Sequence, residues 1–310
     1  HHEEGENVSP ANNVTKSKIH GLWALTNREL KKWYKAPVVF ILTLIQPVIW
    51  LGLLGNALNI SSLFSASSIQ IPPEIITQFS PAQIAALSQF FSGLQDQIMR
   101  GTFGTTSYLS FMAVGMIAFT ALFTTMFSGM SVVWDRRLGF LNKVLSTPVS
   151  RGVIILSKVL SATLRSMFQA AVILLIAIPF GFTFGAAFTP LNILGVFAML
   201  FLICMGLSSM FIAINVRSTR IETPMAVTNL LNLPLTFASS AFFPIERMPE
   251  WLQIVARVNP LSYTIDGMRQ LLIFDTINYS QLLIDFAYVG GFALVLTTIG
   301  IVLSWRFLNK

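Results

Sequence analysis

Long stretches without a charged residue alternate with short polar segments along this chain. The five charge-free gaps run from Lys35 to Glu74, Arg100 to Asp135, Arg165 to Arg217, Glu222 to Glu246 and Asp285 to Arg306. A helix needs about 20 apolar residues to cross a bilayer core. Each gap can hold one such helix, and the gap after Arg165 can hold two around a Pro/Gly turn signal. The pattern therefore predicts six transmembrane helices at about 38–58, 107–133, 159–180, 191–214, 225–243 and 281–303.

Composition agrees with a protein that lies in the membrane. Of 310 residues, 54% are hydrophobic and only 11% are charged, against about 25% charged in an ordinary soluble domain. The mean hydropathy is +0.69. These values exclude a soluble or disordered chain, and the single cysteine excludes a disulfide scaffold. The fold class is an all-α integral membrane protein, because the apolar runs are continuous and do not alternate.

The basic residues indicate how the chain is oriented. The net charge is +7, and 16 of the 20 Lys and Arg residues fall on one side of the predicted spans, with Arg100, Arg247, Arg257 and Arg269 on the other. Cytoplasmic loops carry this excess of positive charge. We therefore expect a multi-pass protein of the cell membrane with both termini in the cytoplasm, and no nucleic-acid partner.

Three segments before the second span have distinct patterns. Residues 1–14 read as a disordered tail, and residues 15–35 as a basic amphipathic helix on the inner leaflet, with a simple basic flank as the alternative. Trp23, Arg28 and Trp33 are its candidate functional residues. The external loop 59–106 contains a helix start at Ser80–Pro81 and an apolar stripe after it, which predicts either a packed cap or a substrate gate.

The segment 244–274 predicts a helical hairpin. Two short pieces meet at Asn259–Pro260, and neither is long enough to cross the membrane. The segment must begin and end outside, so it is expected to dip into the outer half of the membrane and return, as protein-buried backbone can. Its candidate residues are Pro244, Met248, Pro249, Trp251, Asn259, Pro260, Tyr263, Asp266 and Arg269.

The loop 134–158 predicts a docking element on the cytoplasmic side. Leu138, Leu141, Val144 and Leu145 form a short apolar stripe that ends at Thr147–Pro148. A short amphipathic helix suits a groove on a partner, whereas the alternative is an ordinary basic loop.

Chemistry for catalysis is missing from the sequence. The three histidines all precede the first span, and neither HExxH nor the phosphate-loop dipeptide Gly-Lys occurs. The chain is therefore not expected to be an enzyme by itself, to bind a metal or to hydrolyse ATP. Arg165 and Asp285 are the ionisable residues within predicted spans. We expect Arg165 to snorkel to the cytoplasmic surface, with a role in coupling as the alternative.

Uncharged polar side chains within the spans are candidates for a substrate pathway. Each could equally hydrogen-bond a neighbouring helix. They are Gln46, Asn56, Thr120, Thr124, Asn229, Asn232 and Ser239.

Three motifs resemble those of a known protein family. They are Asp135-Arg136-Arg137-Leu138-Gly139-Phe140-Leu141 running to Thr147-Pro148-Val149-Ser150-Arg151, Phe243-Pro244 with Met248-Pro249-Glu250-Trp251-Leu252, and Asn259-Pro260-Leu261-Ser262-Tyr263 continuing to Asp266 and Arg269. With six spans in this order, the chain resembles the membrane subunit of type-2 ATP-binding-cassette (ABC) exporters, the group that includes daunorubicin-resistance-like permeases.

The resemblance implies a role for each segment. Residues 15–35 would be the connecting helix, 244–274 the extracellular re-entrant hairpin, and 36–310 a single transmembrane domain. The loop 134–158 would dock on a separate ATPase subunit, which would carry ATP and Mg²⁺, while this chain binds no cofactor. The docking residues would be Arg136, Arg137, Leu138, Gly139, Leu141, Asn142, Val144, Leu145 and Pro148.

Two permease copies or homologues would pair within the membrane lipids, chiefly through spans 1 and 5. The expected function is export of an amphipathic, drug-like or lipid-like substrate. The long external loop 59–106 departs from compact polysaccharide exporters, which weakens a glycan substrate. The alternatives are a channel or secondary transporter that works without an ATPase, and a membrane assembly factor that transports nothing.

Overall fold

A computed structural model describes residues 10–35, 37–53, 73–137, 151–216 and 222–307. Within these ranges the chain is helical, with one 3₁₀ turn at Ile245–Arg247 and no strand. The helices are α1 Pro10–Tyr34, α2 Pro37–Gly52, α3 Pro73–Ile76, α4 Pro81–Phe103, α5 Tyr108–Arg137, α6 Arg151–Ala177, α7 Asn192–Asn215, α8 Glu222–Phe237, α9 Glu250–Val258, α10 Pro260–Leu272 and α11 Tyr279–Phe307. The predicted all-α membrane class is confirmed.

Four stretches of the described chain are long and apolar enough to cross a membrane. They are Pro81–Val133, which contains α4 and α5, together with Gly152–Ala177, Asn192–Asn215 and Tyr279–Leu303. The predicted spans 38–58 and 225–243 fall on α2 and α8, which have 16 residues each. Residues 54–58 of the former lie outside the described residues. The count of six spans therefore stays a prediction.

The end of α8 differs from the predicted span 225–243. The helix stops at Phe237, and residues 238–243 follow an irregular path. Side chains from other elements donate hydrogen bonds to the backbone carbonyls of this region. Asn259 donates to Leu235 and Ala238. Arg269 donates to Ser240 and Ala241. These contacts replace the helical hydrogen bonds that a continued α8 would make.

The core lies where α5 and α7 pack against each other and against α6, α10 and α11. Side chains along α5, including Met112, Met116 and Leu122, are fully buried, as are Leu200, Ile203 and Leu207 of α7. Glycines allow the closest approaches. A Cβ added to Gly115 of α5 would lie 2.2 Å from the Ala241 carbonyl oxygen, so the chain after α8 rests directly on the α5 backbone.

The helix α4 begins and ends at clear signals. Ser80 accepts from the Gln83 amide, the Gln83 side chain accepts from the Ser80 amide, and Pro81 occupies the first turn. This capping box confirms the predicted start. At the other end Gly104 adopts φ +75°, which a glycine reaches without strain. An ion pair from Arg100 to Asp275 fastens α4 to the segment before α11.

The first helix is longer than expected. It begins at Pro10, five residues before the predicted start at Thr15, so residues 10–14 of the predicted disordered tail are helical. Residues 1–9 lie outside the described residues. The helix packs along α6 and ends before α2, which begins at Pro37.

Candidate functional site

A cavity of about 410 Å³ lies between α2, α5 and α6. Its walls are mostly apolar, and its polar groups come from all three helices. Gln46 belongs to α2, Thr120 and Thr124 to α5, and Arg165 and Gln169 to α6. The volume falls within the range of about 300–1,000 Å³ that is usual for small-molecule sites. This cavity is the candidate functional site.

Helical spacing explains why these side chains meet. Residues four apart lie on one face of a helix, which places Thr120 beside Thr124 and Arg165 beside Gln169. The same spacing aligns Phe119, Phe123 and Phe127 along α5, with ring centroids 4.6 Å and 6.4 Å apart. On the opposite wall Pro47 interrupts the hydrogen bonding of α2 next to Gln46.

The polar groups are only partly satisfied by the protein. Thr124 Oγ1 donates to Gln169 Oε1 across 2.6 Å, whereas Thr120 Oγ1 is buried and has no hydrogen-bond partner among the described residues. Arg165 donates from Nε to the Ser161 carbonyl at 3.3 Å and contacts Ser161 Oγ at 3.5 Å. The site therefore offers donors to a bound molecule inside an apolar wall.

The structure places some of the predicted pathway residues together in this cavity and others elsewhere. Gln46, Thr120 and Thr124 line the cavity together. Asn229 is exposed on α8, and Asn232 has a buried Oδ1 that no described residue hydrogen-bonds. Ser239 lies just after α8 and donates to Thr236. Asn56 lies outside the described residues. That any of them forms a pathway stays a prediction.

Sequence reasoning missed Gln169 and the phenylalanines of α5 as cavity residues. It also placed Arg165 about two turns into its span, whereas α6 begins earlier. Arg165 is 13 residues after Gly152 and 12 before Ala177, so it sits at the centre of the apolar stretch. The spacing of Arg165 and Gln169 was the signal that could have joined them.

A buried ion pair anchors the first helix. Glu29 of α1 accepts from Lys158 of α6 at 3.2 Å, and both side chains are nearly inaccessible to solvent. Lys158 also donates to Ser131 Oγ at 3.0 Å, and Arg28 pairs with Glu29. The apolar side chains Ile19 and Trp23 of this predicted amphipathic helix are exposed and do not contribute to the anchor. Nothing in the local pattern indicated that Glu29 and Lys158 would meet.

In the segment 244–274, Arg269 is the most highly coordinated side chain. It is buried and donates to the carbonyl of Phe111 on α5, with the shorter contact 2.8 Å, and to those of Ser240 and Ala241. Its guanidinium also lies 3.4 Å from the centre of the Phe111 ring. Burial lowers the pKa of Arg269 to about 9, against the opposing effect of Asp266 and Tyr108. The residue joins α10 to α5 and to the chain after α8.

Asn259 fixes the break between α9 and α10. Its Oδ1 accepts from the Leu261 amide at 3.0 Å and caps α10, and Pro260 occupies the first turn. Its amide nitrogen donates to the carbonyls of Leu235 and Ala238 at 3.0 and 2.9 Å. One side chain thus starts α10 and closes the end of α8.

Tyr263 and Asp266 face a second cavity of about 500 Å³, which Arg257 and Asp285 also line. Tyr263 donates to the Arg257 carbonyl at 2.6 Å and stacks on Tyr288, with the ring centroids 4.1 Å apart. Asp266 and Asp285 both accept from Gln270. These contacts hold α10 against α11.

The remaining predicted hairpin residues lie around α9. Pro244 is buried, Met248 is partly buried, and Pro249 is exposed at the start of the helix. Trp251 is 69% exposed, and Ile254 and Val258 share its outward apolar face. That the hairpin dips into the membrane stays a prediction.

Most of the predicted docking residues lie outside the described residues. Arg136 and Arg137 are the last two residues of α5, and the structure describes their backbone only. Leu138, Gly139, Leu141, Asn142, Val144, Leu145 and Pro148 lie outside the described residues, and so does the side chain of Trp33.

Long apolar helices around a partly polar cavity define an integral membrane protein of the helical class. The profile of the ABC-2 type transporter family matches residues 20–273, and the chain belongs to this family. It is a transport permease by family, which confirms the resemblance inferred from the three motifs.

Relatives cover most of the chain. The ycf38 protein of Cyanophora paradoxa, which carries the name of a transport permease, is 31% identical over 87% of this chain and 80% of its own length. The ycf38 protein of Pyropia yezoensis is 27% identical over 94% and 89%. The daunorubicin resistance ABC transporter permease protein DrrB1 of Streptomyces coeruleorubidus is 24% identical over 54% of this chain and 59% of its own.

Proposed function

We propose that this chain is the permease subunit of an ATP-driven exporter that moves an amphipathic, drug-like or lipid-like substrate out of the cytoplasm. The observation that carries the proposal is the 410 Å³ cavity between α2, α5 and α6, where apolar walls surround a few hydrogen-bonding groups. Such a lining suits a molecule with one apolar and one polar part. The name of a daunorubicin resistance relative supports this substrate class.

A separate ATPase subunit supplies the energy in this proposal. The sequence has no Gly-Lys dipeptide and therefore no phosphate-binding loop of the usual type. ATP and Mg²⁺ are bound by the partner, and the loop 134–158 docks on it. The ion pair of Glu29 with Lys158 supports a mechanical role for α1, because it ties that helix to α6 near the same end of the molecule.

Two permease chains pair through α2 and α8 in the cell membrane, with both termini in the cytoplasm. These two helices contact their neighbours less extensively than α5, α6 and α7 do. Both expose large apolar side chains, such as Leu42 on α2 and Leu230 on α8. In the six-span arrangement, residues 244–274 form the re-entrant hairpin on the outer side.

The test is co-purification with the ATPase encoded next to this gene. We expect ATP hydrolysis that vanadate inhibits, and only in the complex. Replacing Leu141 and Val144 by Asp should abolish association without preventing membrane insertion, since two charges would face an apolar groove. A matched control replaces Ala82 and Ala85, both exposed on α4, by Asp and should associate normally.

Other outcomes would reject the proposal. Flux through the purified chain alone in liposomes would favour a channel or secondary transporter. An intact complex that hydrolyses ATP but moves no amphipathic probe would favour an assembly factor. Unchanged association of the Leu141 and Val144 double variant would reject the docking role of this loop.

A further inference from the structure

The cavity contains a cation that has no acidic counterpart in the described part of the chain. Arg165 lies at the centre of the apolar stretch Gly152–Ala177 and lines the cavity. Its hydrogen bonds go to the carbonyl and hydroxyl of Ser161, which are neutral acceptors. Glu29 acts on Arg165 electrostatically, but this carboxylate is paired with Lys158.

A guanidinium in such a place needs a reason, because a charge inside a membrane is costly and usually marks a ligand or ion pathway. Arg165 has five N–H groups in a planar fork, and Ser161 uses only part of this capacity. The fork matches the oxygens of a carboxylate or a phosphate, which it can bind with two parallel hydrogen bonds. An anion in the cavity would therefore neutralise the charge and complete its hydrogen bonding.

The rest of the lining suits an apolar chain attached to that anion. Phe119, Phe123 and Phe127 form one wall along α5, and Leu42 lies on the opposite helix. Leu42 and Phe127 are both exposed, so the cavity opens on the apolar outer surface of the chain beside α2. Thr120 Oγ1 on the same wall is buried, has no partner within the described part of the chain, and can donate to a further oxygen of the ligand.

We propose that this cavity binds a single-chain amphiphile with one anionic group, and that Arg165 binds the anion while the phenylalanines of α5 contact the chain. The proposal rests on the proposed function, since it names the substrate class of the same site. A cavity of this kind would bind anionic amphiphiles in preference to neutral and cationic ones. A carboxylate and a phosphate share the required chemistry, and the test below separates them.

Photolabelling tests this selectivity without any ATPase. The full chain is placed in nanodiscs of phosphatidylcholine, which has no net charge. Four diazirine probes with the same dodecyl chain are compared: a carboxylic acid, a phosphate monoester, a neutral methyl ester and a primary amine. We expect saturable labelling of peptides around residues 119–127 by the two anions, at concentrations about tenfold lower than for the ester or amine. The better of the two anions indicates a drug-like acid or a lipid-like phosphate.

Variants then test Arg165 itself. Arg165→Gln should weaken labelling by the anions about tenfold and leave the ester unchanged, because only the charge-assisted hydrogen bonds are lost. Arg165→Lys keeps the charge and should stay within about threefold of the unaltered protein. Arg100→Gln, which removes an exposed arginine outside the cavity, should change nothing.

Equal labelling by anion, ester and amine in the unaltered chain would overturn the inference, and this comparison needs no variant to fold. Unchanged anion labelling of Arg165→Gln would overturn it as well. Failure of the proposed function is a different result, because it shows as loss of ATPase association while photolabelling stays selective.

Discussion

Arg269 shows how one side chain can hold three segments together. Its guanidinium donates to the carbonyls of Ser240 and Ala241, which follow the end of α8, and to the carbonyl of Phe111 on α5. Removing it takes this donor away from the carbonyls of Ser240 and Ala241, at about 1–3 kcal/mol for each buried group left unsatisfied.

We expect Arg269→Met to lower the free energy of unfolding by about 3–5 kcal/mol, since Met fills some of the volume but restores no hydrogen bond. The measurement is the thermal unfolding midpoint in detergent, followed by size exclusion. Arg257→Met is the matched control on the same hairpin, because Arg257 is exposed and its side chain hydrogen-bonds Gln253 at the surface. Equal losses in the two variants would contradict the role given to Arg269.

The pair of Glu29 and Lys158 permits a sharper test through a double-mutant cycle. Glu29→Gln alone should cost about 3–5 kcal/mol, because it leaves a buried ammonium without its carboxylate. Adding Lys158→Met should recover much of this loss, since the uncompensated charge disappears. Hydrogen exchange of α1 provides the measurement. Losses that simply add would mean that the two residues do not interact.

Among elements, the junction of α9 and α10 depends on the two ends of the Asn259 side chain. Asn259→Ser keeps an oxygen that can cap α10 but loses the donations to Leu235 and Ala238. Asn259→Ala loses both functions. We expect Asn259→Ala to be less stable than Asn259→Ser by about 1 kcal/mol, the usual value of such a cap. Denaturant unfolding of both variants measures the difference. Identical stabilities would show that the Asn259 side chain does not stabilise α10 as a cap.

Alanine substitutions of two helical glycines, Gly115 on the closely packed α5 and Gly93 on α4, should change the stability in opposite directions. Gly115→Ala places a methyl group 2.2 Å from a backbone oxygen, which cannot move aside as a side chain could, so unfolding should become easier by 1–3 kcal/mol. Gly93→Ala on α4 meets nothing within 4 Å and should stabilise its helix by about 0.5–1 kcal/mol. A tolerated Gly115→Ala would show that α5 and the chain after α8 are not in contact.

These elements also show what the sequence could predict. The helices α5, α6, α7 and α11 follow from charge-free apolar runs, a property that is local and easily read. The same holds for the start of α4 at Ser80. The end of α8 did not follow, because the donors that satisfy its carbonyls come from Asn259 and Arg269, more than 20 residues later. Glu29 and Lys158 are 129 residues apart, and only the packed fold brings them together.

At the scale of the whole molecule, the exposed apolar surface has to be covered by lipid or by protein. The helices α5 and α7 are surrounded by their neighbours, whereas α2, α8 and α11 turn large apolar side chains outwards. Lipid can cover any of these faces. If two chains pair through α2 and α8, those faces meet protein, while the outer face of α11 remains in lipid.

Cysteine cross-linking distinguishes the two surfaces. Leu230 on α8 and Leu294 on α11 have nearly the same exposure, 70% and 71%, and Cys204 is buried, so Cys204→Ala gives a background without a thiol. Because thiols cross-link only where two helices approach closely, Leu230→Cys should form an oxidised dimer in native membranes. Leu294→Cys should stay monomeric on a non-reducing gel. A dimer through position 294 and none through 230 would place the interface on α11. In each chain the cavity between α2, α5 and α6 would then open to lipid and not towards a passage shared by the two chains.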